Sequence, residues 1–343
     1  RKKTKALAPY LTLHANDEVA FQVADLPDYF EFFKYTNHLD QVLTIDIAPE
    51  QIEFSFIYTW NPKTLDKTGI QVLQTDSIDT FDSGPGRPQL HFTPPKQWMN
   101  DPNGLCYVDG VYHLFYQFHP NSTHWGPMHW GHAVSRDLFN WVHYPVFLHP
   151  AQNLLPLGAT GGAFSGTACR DKHGQLMFFY TERLPAYDLY EGYVEVQKRL
   201  IANPSLTAPA SIQTVISERP EGVGCDFRDP KVWYEAESDR YFMILGAAIN
   251  GDPAVLLYSS HNSLDWMYQR PLYIAPSYFR ENGARCIECP DFFEVDGRWV
   301  LYIGFVGFHD PETRRHNLMY YLTGEFSPSG GFKPQGKLRE VDF

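Results

Sequence analysis

From His91 onward, apolar and polar positions alternate in short runs that are rich in aromatic and β-branched residues. Runs of this kind, bounded by Gly, Pro, Asn and Asp, predict strands rather than helices. Residues 106–117 are broken at Asp109-Gly110, a hairpin signal that predicts two paired strands. The pattern returns at residues 177–180, at 241–245 with 254–258, and at 299–303 with 318–322. These segments form four groups, opening near residues 95, 161, 227 and 286. Upstream, residues 42–47, 52–58 and 70–73 alternate as half-buried antiparallel strands do, with turn signals at Pro49-Glu50 and Asn61-Pro62. Residues 26–35 fit a short helix or a loop, and residues 191–201 fit a helix or a strand. The Gly/Pro-rich stretch 81–89 predicts a linker. It divides an N-terminal β-rich segment, residues 1–88, from a larger all-β domain, residues 89–343.

Each of the four groups opens on a polar motif. The first is Gln97 to Leu105, reading QWMNDPNGL, with Asp101 beside the turn formers Pro102, Asn103 and Gly104. The others are Phe164-Ser165-Gly166, Arg228-Asp229-Pro230 and Glu288-Cys289-Pro290-Asp291. A single Asp-Pro step ordinarily only starts a turn. Here, however, Asp101, Ser165, Asp229 and Glu288 lie 64, 64 and 59 residues apart. A period of that size built from short strands is the signature of a β-propeller. Equivalent positions in successive blades converge on its axis, so Asp101, Asp229 and Glu288 are expected in one pocket.

Three acids in one pocket can divide the work of attack and proton transfer, one as a carboxylate and one as a carboxylic acid. Asn100, Asn103 and the turn N–H groups favour an ionised Asp101. Cys286, Ile287, Cys289 and Pro290 give Glu288 a less polar setting that favours its protonated form. Arg228 can moderate the repulsion among the acids or bind a hydroxyl group.

The motifs WMNDPNG, HLFYQFHP, WGPMHWGHAVSRDLFNW, FSG, RDPKVW and ECPDFF, in this order, resemble glycoside hydrolase family 32, which includes invertases, sucrose-6-phosphate hydrolases, inulinases and levanases. The resemblance covers residues 90–343 and leaves 1–88 uncovered. It implies a five-bladed propeller, usually followed by a β-sandwich. GKLREVDF resembles the approach to the fifth blade, so about four blades are expected in this sequence. It also implies Asp101 as nucleophile, Glu288 as general acid/base and Asp229 as transition-state stabiliser. Gln117, Trp125, Phe164 and Ser165 would line the subsite for the terminal fructose, with Trp98 and Asn100 beside the nucleophile. The expected activity is retaining release of terminal β-fructofuranosyl units from sucrose or related fructosides through a covalent fructosyl-enzyme. Two alternatives stand beside it: fructosyl transfer or fructan cleavage at the same site, and a sugar-binding protein without activity should the fifth blade be essential.

Composition narrows the partners. A net charge of −12 disfavours nucleic acid and anionic membrane surfaces, and the resemblance implies a small-molecule sugar as the partner. Aromatic residues are 16% of the chain, which supplies stacking surfaces for a sugar. Fourteen histidines are many, and His113, His119, His124, His129 and His132 read as hydrogen-bonding surface or pocket residues. The five cysteines, an odd set without a framework spacing, predict free thiols and a reducing, cytoplasmic compartment. A signal removed upstream of residue 1 would make the protein secreted instead. Cys286-x-x-Cys289 lacks a second half, so no metal and no cofactor are expected. Alternation along a strand predicts that these two thiols point to opposite faces. Nothing in the sequence speaks to oligomeric state.

Overall fold

The computed structural model describes residues 9, 11–23, 34–36, 41–48, 57–73, 86–88, 90–150, 160–186 and 189–341. The fold is all-β, with two helices of one turn among the described residues, α1 (Leu65–Thr68) and α2 (Ser277–Glu281). A three-stranded antiparallel sheet in the order β2-β1-β3 comes first, from β1 (Leu11–Ala15), β2 (Glu18–Val23) and β3 (Leu43–Ile47). The hairpin of β4 (Ile57–Thr59) and β5 (Gln71–Leu73) follows. Four four-stranded sheets then succeed one another, each an up-and-down antiparallel meander. Sheet one comprises β6 (Trp98–Val108), β7 (Val111–His119), β8 (His129–Ser135) and β9 (Trp141–Leu148). Sheet two comprises β10 (Gly162–Arg170), β11 (Leu176–Pro185), β12 (Tyr193–Ala202) and β13 (Pro209–Ile216). Sheet three comprises β14 (Val223–Glu235), β15 (Arg240–Ile249), β16 (Asp252–Ser260) and β17 (Met267–Ile274). Sheet four comprises β18 (Cys286–Val295), β19 (Arg298–Val306), β20 (Met319–Ser327) and β21 (Gly331–Glu340).

Consecutive sheets pack face to face, because their strands are apolar on both faces. Phe115, Trp130 and Phe147 of sheet one meet Phe178, Tyr180 and Leu200 of sheet two. Met177 and Phe179 of sheet two meet Phe227, Met243 and Leu256 of sheet three. Phe242 and Val255 of sheet three meet Ile287, Phe292 and Ile303 of sheet four. Burying such side chains is worth about 1.5–3 kcal/mol each, so the stacking of sheets is the main source of stability. It also sets the first strands side by side: β10 lies against β6 and β14, and β14 against β18.

The motifs lie inside these first strands, not in turns ahead of them as the sequence suggested. Each strand carries a β-bulge at its motif. Met99 and Pro102 flank the first, Ala163 and Gly166 the second, Arg228 and Lys231 the third, and Glu288 and Asp291 the fourth. A bulge leaves residues out of the ladder, so Pro230 and Pro290 sit there without removing a needed N–H donor. Pro and Asp in these motifs therefore mark a bend within a strand. From Tyr193 onward the stretch 191–201 is extended in β12 (Tyr193–Ala202), resolving the choice between helix and strand. The hairpin of β1 and β2 had no counterpart in the sequence reading. Its signal is the Asn16-Asp17 turn, where both residues have positive φ, 49° and 68°. Parts of 26–35, 52–58 and the linker stretch 81–89 lie outside the described residues. The β4–β5 hairpin docks on sheet one: Val146 donates its N–H to Tyr58 Oη (3.1 Å) and Ile70 donates to the His143 carbonyl (2.9 Å). Among the described residues no helix is long and apolar enough to cross a membrane.

Gly166 tests the bulge on β10. A Cβ there would run into the Phe179 carbonyl and the Tyr180 backbone on β11, whereas at Gly224 the nearest atom would be 3.9 Å away. Gly166→Ala is expected to destabilise the protein by about 2 kcal/mol or more, with a clear fall in Tm, and Gly224→Ala by less than about 0.5 kcal/mol. Thermal unfolding of both variants checks this; equal stability would show that β10 does not approach β11 so closely.

Candidate active site

The bulges bring residues from four strands, β6, β10, β14 and β18, against one another. Asp101 on β6 accepts a hydrogen bond from Ser165 Oγ on β10 through Oδ2 (2.7 Å), and the Cys289 thiol on β18 approaches the same oxygen at 3.6 Å. The Cys289 N–H donates to Asp229 Oδ2 (2.8 Å), and the Asp229 N–H donates to Thr181 Oγ1 on β11 (2.9 Å). Arg228 lies 3.7 Å from Asp229 Oδ2 through Nε and 3.6 Å from Glu288 Oε2 through Nη2. Asp101 and Asp229 thus share Cys289, while Asp229 and Glu288 share Arg228. Each acid is fastened through one oxygen. Among the described residues, Asp101 Oδ1, Asp229 Oδ1 and Glu288 Oε1 receive no hydrogen bond, which leaves one oxygen of each for a ligand.

Asp229 and Cys289 both adopt left-handed backbone conformations, with φ of 63° and 46°. That conformation is costly for a side chain bearing a Cβ, by about 1 kcal/mol, and is tolerated where the surroundings over-determine it. Here it breaks the alternation expected between Cys286 and Cys289. The Cys286 sulfur meets Arg228 Nη2 (3.6 Å) and the Cys289 sulfur meets Asp101, so both thiols abut the acid cluster instead of opposite faces. All five cysteines are unpaired.

Electrostatics separate the acids. Burial pushes the Asp229 carboxyl up to about 7, and the neighbouring Asp101 and Glu288 push the same way against Arg228 and the Cys289 N–H. Burial also raises Glu288, with Asp101 adding to the rise and Arg228 opposing it. Asp229 is 6% exposed, whereas 39% of the Glu288 side-chain surface is open. Glu288 is therefore the raised acid with the more open side chain. Burial lifts the Cys289 thiol well above its ordinary value, so it stays protonated and can donate toward Asp101.

The remaining residues singled out in the sequence divide into a rim and a backing. Trp98 Nε1 donates to Asn100 Oδ1 (2.8 Å), fixing both beside Asp101. Trp125, 41% exposed, meets the Phe164 ring edge-on at 5.9 Å between centroids. Gln117 is buried behind the site and donates to the Ala163 carbonyl (2.9 Å). With its amide turned to satisfy its neighbours, Asn103 accepts from Gln117 (3.0 Å) and donates to Ser165 (3.3 Å), so Gln117 is linked to Asp101 through Asn103 and Ser165. The histidines differ from expectation: His113, His119, His129 and His132 are buried. His113 Nδ1 and His132 Nε2 are bonded to each other (3.0 Å), and burial lowers His113 to about 4.

A buried polar layer on sheet two escaped the sequence reading. Gln197 Nε2 donates to the Phe227 carbonyl (2.8 Å), and the Phe227 N–H donates to Glu195 Oε2 (2.6 Å). Thr181 donates to Gln197 (2.7 Å), and Arg183 donates to Glu195 through Nε (3.0 Å) and Nη2 (2.5 Å). Two side chains thereby take the place of a neighbouring strand for Phe227 and lock the backbone just before Arg228 and Asp229. Polar residues at apolar-strand positions, such as Thr181 and Glu182 after 177–180, were the available signal. Among the described residues no cluster of His, Cys, Asp or Glu has the geometry to hold a metal ion.

Residues 91–343 match the model of the glycosyl hydrolases family 32 N-terminal domain, and the chain belongs to that family. It is 41% identical to a levanase of Bacillus subtilis over 70% of this chain and 34% of that protein. It is 36% identical to a sucrose-6-phosphate hydrolase of Escherichia coli over 74% of this chain and 52% of that protein. A glycoside hydrolase family 32 structure from Bifidobacterium adolescentis aligns with a TM-score of 0.80 at 26% identity, covering 97% of this chain and 63% of that one. The chain spans about a third to a half of the length of these two curated relatives.

The raised Asp229 carboxyl makes a stability prediction. The folded state holds this proton more tightly than the unfolded chain, so the group's contribution to stability declines as pH rises from about 4 to about 7. Above that window the cost is complete, on the order of a few kcal/mol at most. Asp229→Asn removes the cost while Arg228 keeps Asp226 and Glu195 as partners. The variant should melt higher than the parent at pH 8, with the difference gone near pH 4. An unchanged or lower Tm at pH 8 would contradict the electrostatic picture.

Proposed function

We propose that the chain carries the catalytic domain of a retaining β-fructofuranosidase, with the four sheets as blades of a propeller around the acid cluster and residues 1–88 as a structural appendage. One observation carries the reading: three acids from three of the four motif strands are fastened together by one oxygen each, and among the described residues the other oxygen of each accepts no hydrogen bond. The names of the relatives, levanase and sucrose-6-phosphate hydrolase, supply the fructosyl substrate.

In the first step Asp101 Oδ1 attacks the anomeric carbon of a terminal fructofuranosyl unit. Glu288, protonated on Oε1, gives its proton to the glycosidic oxygen as the bond to the leaving sugar breaks. The leaving sugar departs as an alcohol, and the fructosyl unit remains as an ester of Asp101. In the second step the Glu288 carboxylate takes a proton from water, whose oxygen attacks the same carbon and releases Asp101. Two inversions leave the configuration retained. Asp229, held by the Cys289 N–H and Arg228, presents Oδ1 to fructose hydroxyls, and hydrogen bonds to those hydroxyls strengthen as charge develops on the ring. Trp125 and Phe164 offer the apolar wall on which the sugar face packs.

Assaying free glucose and fructose after incubation with sucrose tests the activity; equal release of both is expected. Glucose in excess of fructose would point to transfer, and neither sugar would contradict the reading. Asp101→Ala should lower turnover roughly 10³-fold or more. Glu288→Ala should slow sucrose cleavage about 10²–10⁴-fold but leave the first step on an activated aryl fructoside much less affected, since that leaving group needs little protonation. Equal losses on both substrates would show that Glu288 is not the proton donor.

A further inference from the structure

We propose that the buried Glu195 carboxylate on β12 is a positioning residue, which fixes Arg228 and limits how much of that cation's charge reaches Glu288 and Asp229. The inference rests on the hydrolase reading above and deepens it. Glu195 touches no reacting atom in that reading; it acts through Arg228.

Glu195 lies 3.6 Å from Arg228 Nη1, receives the Phe227 N–H at 2.6 Å, and accepts both donors of Arg183. Its side chain has no solvent exposure. Arg183 is itself fixed, with its guanidinium over the Phe164 ring at 4.8 Å and the Tyr193 ring at 4.1 Å. A clamped cation and a backbone N–H thus hold one carboxylate at a set place beside Arg228, and the anchor reaches back to the aromatic wall through Phe164.

Arg228 is contested from every side. Glu195 faces it from β12, Asp226 and Asp229 from β14, and Glu288 and Cys286 from β18. Asp226 is also shared with Arg183 (3.8 Å) and with the exposed Arg285 (3.2 Å). Glu288 in turn feels Asp101 as well as Arg228 and Arg285. A cation shared among four carboxylates favours ionisation of each less than it would alone. Glu195 is the member of this set whose side chain has no solvent exposure, so its charge bears on Arg228 with little screening by water. Its removal leaves Arg228 free to favour the ionised forms of Glu288 and Asp229, and it also frees Arg183 to draw on Asp226. Both consequences act in the same direction.

The test is the pH dependence of kcat/KM for sucrose in Glu195→Gln. Gln keeps an oxygen for the Phe227 N–H while the charge is gone. Both limbs of the profile are expected to move to lower pH, with a roughly threefold loss on the alkaline side and a plateau within about twofold of the parent. Glu195→Asp, which keeps the charge, should leave the limbs in place even where turnover falls. A uniform loss with unmoved limbs would overturn the proposal, because a purely structural role predicts that result. Should Glu195→Gln fail to fold, Asp226→Asn removes another charge from Arg228 and must shift the limbs the same way, or the proposal fails. Infrared titration of the carboxyl band, with Glu288→Gln as the assignment blank, reads the Glu288 shift without turnover. A band shift between the parent and Glu195→Gln, where the parent cleaves no fructoside, would sustain the role of Glu195 and reject the hydrolase reading alone.

Discussion

A buried guanidinium is the constraint around which the rest of this molecule is arranged. Arg228 sits at 6% exposure between the second, third and fourth sheets, where an unpaired cation would cost several kcal/mol. Asp226, Glu195, Asp229 and Glu288 approach it, so the cation is compensated, but the carboxylates outnumber it. Burial is what keeps Asp229 and Glu288 raised despite the positive charge beside them, and the neighbouring carboxylates add to the rise. One residue therefore both permits the acids to be buried and leaves their proton affinities high. The apolar packing between consecutive sheets supplies the stability that such an arrangement consumes.

The bulges convert that packing into a site. In an unbroken strand, alternate side chains face the neighbouring sheets and none is directed along the strand edge toward the others. The extra residue in β6, β10, β14 and β18 changes that, and the left-handed Asp229 and Cys289 complete it. The four bulges pair identically with their neighbours, yet the acids occupy different positions within them. Glu288 precedes its bulge, as Arg228 does; Asp229 is the first bulged residue, as Asn100, Phe164 and Cys289 are; Asp101 is the second, as Ser165, Pro230 and Pro290 are. One repeated backbone device thus presents three carboxylates to one another from three angles.

This explains what could be read in the sequence. Strand-rich grouping and the spacing of Asp101, Ser165, Asp229 and Glu288 follow from local physics, since alternation and Asp-Pro or Asn-Gly steps are short-range signals. The spacing was off by one bulge position for Asp229 and by two for Glu288, because a count along the chain does not distinguish which residue at the bulge carries the acid. The Pro residues were taken for turns for the same reason: a missing N–H marks a break in the ladder, whether at a strand end or inside it. Glu195, Gln197 and Thr181 were invisible because their role exists only once β12 and β11 face Phe227 across a sheet interface. The buried histidines escaped likewise, since His113 and His132 become a pair only through the register of β7 with β8.

The central claim, that Asp101 forms a bond to the fructosyl unit while Glu288 serves as its proton donor, is tested most directly by trapping that bond. Glu288→Gln, mixed with an activated fructoside, should form the ester quickly and lose it slowly, since no general base remains for the water. Acid quenching, peptic digestion and mass spectrometry should then find one fructosyl unit on the peptide carrying Asp101. A fructosyl unit on a peptide carrying Asp229, or rapid turnover with no labelled peptide and an inverted product, would contradict the account.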